Sequence, residues 1–116
     1  MRTMLITKAE RAQLLANGKH SSEDPSFDPY PVVKLFTPDA GATWLLSEID
    51  PEEPDLAFGL CDLGLGFPEL GCVLISELLA VRGRFGLPVE RDRHFEAKKP
   101  LSAYTDEAFK AGRIVA

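Results

Sequence analysis

The chain has 116 residues, 45% of them hydrophobic and 27% charged, with 13 Lys and Arg against 18 Asp and Glu and a formal charge of −5. That length fits one domain over residues 1–116, enough to bury a core without disulfide or metal staples. No apolar run approaches the roughly 20 residues of a membrane span. The stretch from Met1 to Ile6 is too short for a secretory signal, and two cysteines make no disulfide framework, so a cytoplasmic protein without a membrane partner is expected.

Thr7-Lys8-Ala9-Glu10 has the spacing of a capping box, and Ala9, Ala12, Leu15 and Ala16 follow at helical spacing. A helix over 8–17 is expected, with Asn17-Gly18 as its stop. His20 to Pro31, with three prolines, predicts a loop that Phe27 and Tyr30 can anchor. Val32–Thr37, Ala42–Ile49 and Leu56–Leu63 are β-branched or aromatic runs separated by Pro-Asp-Ala-Gly and Asp-Pro-Glu-Glu-Pro-Asp breaks. Breaks this short predict an antiparallel meander, since parallel pairing needs longer crossovers.

Gly64 to Gly71 is then a glycine-punctuated connection, and Cys72–Ile75 a short strand. Ser76 is placed to cap a helix over 77–82 that Gly83 stops, and Leu87–Phe95 has the proline and charge of an edge strand. Last comes a helix capped by Ser102 or Thr105, with Tyr104, Ala108 and Ala111 on one face and Gly112 at its end. The fold class expected is α+β: a small antiparallel meander of three to five strands with N-terminal, middle and C-terminal helices.

Charge is segregated along this order. Residues 21–77 carry twelve acids against Lys34 alone, while the segments on either side are each net basic by three. Ionised carboxylates are rarely buried unpaired, so many of the twelve must share surface. The plainer reading is internal complementarity, with the basic ends folding over the middle and the turn acids simply solvated. The sharper expectation is an acidic face that attracts a basic protein partner and repels phosphate.

The patterns of known chemistry are few. Gly64, Gly66 and Gly71 do not form G-x-G-x-x-G, and no P-loop follows; positive φ in turns explains such glycines. Cys61, Cys72, His20 and His94 lack zinc-site spacing, so neither a metal nor a cofactor is expected. No catalytic residue is assigned. Asp62 and Glu69 flank the glycine turn and have the makings of an acid–base pair, yet Asp62 is better read as accepting backbone N–H groups of that turn. Glu48, Asp50, Asp62 and Glu69, with Trp44 as a hydrophobic anchor in place of its default core role, are the candidate partner-binding residues. Arg82, Arg84, Arg91 and Arg93 are the candidate phosphate-binding residues, although acids interleave with them.

Three segments carry a family resemblance: Pro31-Val32-Val33-Lys34-Leu35-Phe36, Trp44-Leu45-Leu46-Ser47-Glu48-Ile49-Asp50 and, most specific, Leu60-Cys61-Asp62-Leu63-Gly64-Leu65-Gly66-Phe67-Pro68-Glu69-Leu70-Gly71. Ser76-Glu77-Leu78, Leu5-Ile6-Thr7 and Leu87-Pro88-Val89-Glu90-Arg91-Asp92 extend the match over nearly the whole chain. The chain resembles domain-of-unknown-function family 2958 in these segments, departing at Cys72, where a tyrosine is expected. The resemblance implies a small accessory product of bacterial plasmids and integrated conjugative elements, found among DNA-processing and anti-restriction genes. It carries over no catalytic residue.

The expected function is therefore a non-enzymatic interaction protein of a mobile element, presenting an acidic surface to a basic protein. A counter-defence inhibitor that occupies a nucleic-acid-binding groove is one form of it. Two rivals stand beside it: a carboxylate- and metal-dependent hydrolase acting on nucleic acid, and a DNA-associated accessory protein using the arginine stripe. The first requires Glu48, Asp62 and Glu69 to converge, and the second requires the four arginines to line up.

Overall fold

Residues 5–116 are described by the structure, a computed structural model; Met1–Met4, part of the stretch weighed as a signal sequence, lie outside the described residues. Thr7 starts helix α1 (Lys8–Glu23) through the expected capping box: its Oγ1 accepts the Glu10 N–H at 3.1 Å, and its own N–H donates to Glu10 Oε1 at 2.8 Å. The helix does not stop at Asn17-Gly18. Both residues are buried where α1 lies on the sheet, and a Cβ on Gly18 would fall 1.9 Å from the Ile49 carbonyl oxygen. Gly18 has no positive φ. It lets helix and strand approach, and Asn17 fastens them by donating its amide N–H to the Ser47 carbonyl at 2.9 Å.

The extra turn takes in His20, whose ring stacks on Phe27 at 3.7 Å between centroids. Phe27 thus anchors the loop, whereas Tyr30 is 52% exposed.

Strands β1 (Val33–Phe36), β2 (Thr43–Asp50) and β3 (Glu53–Asp62) form the expected meander, and β4 (Glu69–Leu74) and β5 (Glu90–Arg91) complete a sheet of order β4-β3-β2-β1-β5, antiparallel throughout. β3 starts earlier than expected because Asp50 Oδ1 accepts the Glu52 N–H at 2.9 Å and tightens the turn to Pro51-Glu52. β4 likewise begins at Glu69, pairing with Cys61, so Gly71 is a strand residue and only Gly64 and Gly66 of that trio have positive φ. The expected long edge strand shrinks to the two residues that pair with Leu35 and Phe36.

Helix α2 (Ile75–Ala80) has Leu74 at its N-cap, while Ser76 turns to the sheet and bonds the Asp55 carboxylate through its N–H at 2.9 Å and its hydroxyl at 2.5 Å. Helix α3 (Leu101–Ala111) begins after Pro100 and ends at Gly112, whose φ of 74° makes the expected left-handed cap. Neither candidate hydroxyl caps it: Ser102 bonds Asp28, and Thr105 donates to the Leu101 carbonyl at 2.9 Å.

Three layers result. On one face of the sheet α1 and α2 cover Val33, Leu35, Trp44, Leu46, Ile49 and Ala57. On the other, α3 covers Leu45 and Leu60 with Leu101, Tyr104 and Ala108. Strand alternation supplies both cores, since neighbours along β2 point to opposite faces. Among the described residues no helix is long and apolar enough to cross a membrane.

Candidate functional site

The central acids separate into two groups along β3. At the β2–β3 turn stand Asp50, Glu52 and Glu53, all exposed, with half-buried Glu48 next to them on β2, opposite Phe58. The end of α1 lies beside them, because Gly18 seats the helix against Ile49 and Pro51. Gly18, Ser21, Glu48, Asp50, Leu56 and Cys72 line one shallow groove, and a second one, over Phe58 and Leu70, shares Ser21 and Glu48 with it. Burial between helix and strand holds the Glu48 carboxyl above its ordinary range; a hydrogen bond with Ser21 opposes this, and neighbouring Asp50 adds to it.

Asp62 and Glu69 lie at the far end of β3, beside the glycine connection. Asp62 is only 3% exposed, and both its oxygens are occupied: Oδ1 accepts the Gly64 N–H at 2.8 Å and Oδ2 the Ile114 N–H at 2.9 Å. The expected role toward the glycine turn is therefore present, and a second bond ties down the C-terminal segment. Asp62 has no face for a partner. Trp44, at 4% exposure, is core beneath α1, so it also leaves the docking set. Glu69 is exposed and sits opposite Cys61, away from the turn acids.

This geometry bears on both rivals. Glu48, Asp62 and Glu69 do not converge, and among the described residues no group of three or more His, Cys, Asp or Glu side chains is placed to hold a metal ion. Burial pushes the Cys61 thiol up to about 11, with Cys72 and Glu69 adding smaller effects, so Cys61 is a poor nucleophile and metal ligand.

The arginines form no stripe. Arg82 donates to the Leu79 and Val81 carbonyls, Arg84 lies 5.8 Å over the Phe85 ring, and Arg91 is largely covered and pairs with Glu10 at 3.8 Å. Arg93 is exposed on the turn after β5.

Ion pairs among the described residues engage Glu10, Asp24, Asp92, Glu96 and Glu107; none of them engages the turn acids Glu48, Asp50, Glu52 and Glu53. The basic ends of the chain satisfy other carboxylates.

Two features escaped sequence reading. Asp39, in the β1–β2 turn, reaches across to accept the Phe85 and Leu87 N–H groups at 2.6 and 3.2 Å, and its other oxygen fills the space a Cβ on Gly83 would need. Nothing local signals a contact across more than forty residues. The second is an exposed apolar set, Leu63, Leu65, Phe67 and Leu70, with Leu65 72% and Phe67 79% exposed. Its signal was legible: apolar residues alternating with positive-φ glycines in a tight turn have no interior to enter.

No curated protein and no solved structure matches the chain. A family model does, described as "Protein of unknown function (DUF2958)", over residues 5–115. With these segments aligned over almost its full length, the chain belongs to that family.

Proposed function

We propose that this is a non-enzymatic interaction protein of a bacterial mobile genetic element, one that docks a basic protein partner on the acidic β2–β3 end of its sheet. The observation that carries the reading is the group Glu48, Asp50, Glu52 and Glu53, held at one turn beside α1 and engaged by none of the ion pairs among the described residues. Carboxylates concentrated in this way attract cationic side chains over distances near the Debye length, about 10 Å at 0.1 M salt, and accelerate encounter. A lysine or arginine arriving at Glu48 also replaces the hydration that α1 and β2 remove from its carboxyl. Nucleic acid is disfavoured on this surface, because its phosphates meet the same charges.

The test is affinity capture from the native host with the wild-type chain and with a neutralised variant, Glu48→Gln, Asp50→Asn, Glu52→Gln and Glu53→Gln together. Mass spectrometry is expected to identify a basic protein retained by the wild type and lost at least tenfold by the variant, with the variant's cooperative thermal unfolding preserved. A variant that retains every partner of the wild type contradicts the proposal.

A further inference from the structure

The sheet ends in two edges of unlike character. The β5 edge is two residues long, preceded by Pro88 and flanked by charges, which are common ways to blunt an edge. The β4 edge runs for six residues, Glu69–Leu74, directly after Pro68 and with neither proline nor lysine among them. Alternate N–H and C=O groups along it point away from β3.

Apolar surface and charge both lie along this edge. Leu70 is 45% exposed on the face it shares with Leu60, Cys72 follows on the same face, and Phe67 stands out just before the strand at 79%. Glu69 opens the strand, and Cys72 lines the groove that holds Glu48 and Asp50.

We infer that the partner's docking element is an extended basic segment that adds to β4 as a sixth strand. Its backbone completes the hydrogen-bonding pattern of the edge, its apolar side chains lie beside Leu70 and Cys72 on one face, and its cationic side chains point to the opposite face, beside Glu69. The inference rests on the docking reading above and deepens it by naming the edge and the conformation of the partner. Charge selects the occupant. An added strand that sets apolar residues beside Leu70 and Cys72 sets its alternate residues beside Glu69, because strand neighbours point to opposite faces. Lysine or arginine there is attracted by Glu69, whereas an acid is repelled.

The probe is an acetylated and amidated eight-residue peptide of alternating valine and lysine, added to the isotope-labelled full chain. Two companions are used: the same peptide N-methylated at every residue, and a valine–glutamate version. The valine–lysine peptide is expected to shift the β4 amides and slow hydrogen exchange at the outward-pointing ones at least tenfold. The methylated peptide is expected to bind at least tenfold more weakly, and the glutamate peptide not to bind.

Equal binding of the methylated peptide, or shifts confined to the β2–β3 turn, would overturn strand addition while leaving charge docking intact. Equal binding of the glutamate peptide would overturn the basic occupant. Protection of β4 that appears without peptide as protein concentration rises would assign the edge to a second copy and overturn the inference. The docking reading itself falls only if the four-acid neutralised variant keeps its captured partners.

Discussion

Asp62 and Glu48 belong to the same run of acids and fare oppositely, because one carboxylate is given donors and the other is crowded. Asp62 receives two backbone N–H groups and is a structural anchor between the glycine turn and the C-terminal segment. Its first role was legible in Asp-Leu-Gly, a short acceptor before a turn. The bond to Ile114 was not, since it depends on how α3 returns the chain to β3.

Glu48 instead carries the cost of partial burial, which raises its carboxyl above the ordinary value of 4.5. A raised folded-state value means that the folded protein holds the proton to higher pH than the unfolded chain does. The contribution of Glu48 to stability therefore falls as pH rises from about 4.5 through the folded-state value. Glu48→Gln, which cannot ionise, is expected to unfold at a higher temperature than the wild type at pH 7, with the gap closing toward pH 4. Thermal melts over that range check it, and a gap that widens on acidification would contradict the assignment.

Elements were legible where one period ran through a segment, and less so where tertiary contact decided the boundary. The meander followed from three β-branched runs with turns between them, and the Thr7 capping box fixed the start of α1. Sequence spacing ends α1 at Asn17-Gly18, more than a turn too early, because that pair has the chemistry of a stop and also that of a close helix–sheet contact. Only the Ile49 carbonyl beneath Gly18 decides between them. Similarly, Ser76 and Ser102 had the look of caps but bond Asp55 and Asp28 across the fold.

Helix propensity alone favours Gly18→Ala by about 1 kcal/mol. The 1.9 Å approach of the new Cβ to the Ile49 oxygen reverses this, and the substitution is expected to destabilise by about 3 kcal/mol or more. Chemical denaturation measures it. A stabilised Gly18→Ala would contradict the close approach of α1 to the Ile49 carbonyl.

Over the whole molecule, charge follows the architecture. The C-terminal end supplies Arg91, Lys98 and Lys99, which pair with Glu10 of the N-terminal end and with Glu96 and Glu107 of their own. The central sheet keeps its turn acids for solvent. Sequence arithmetic located the surplus of negative charge but not its division, which β3 imposes by pairing Glu53 with Asp50 and Phe58 with Glu48 while holding Asp62 and Glu69 at its far end. The open β4 edge was likewise beyond the sequence, because strand order is set by the return of β5 to β1.

The central claim is that the β2–β3 acids draw in a basic partner. Its most direct test is the association rate of the captured partner by stopped-flow, for the wild type and the four-acid neutralised variant, between 20 and 200 mM salt. The account predicts a wild-type rate that falls about tenfold or more across that range, and a slower variant rate with a much flatter salt dependence. Identical rates and identical salt dependence for the two proteins would contradict it.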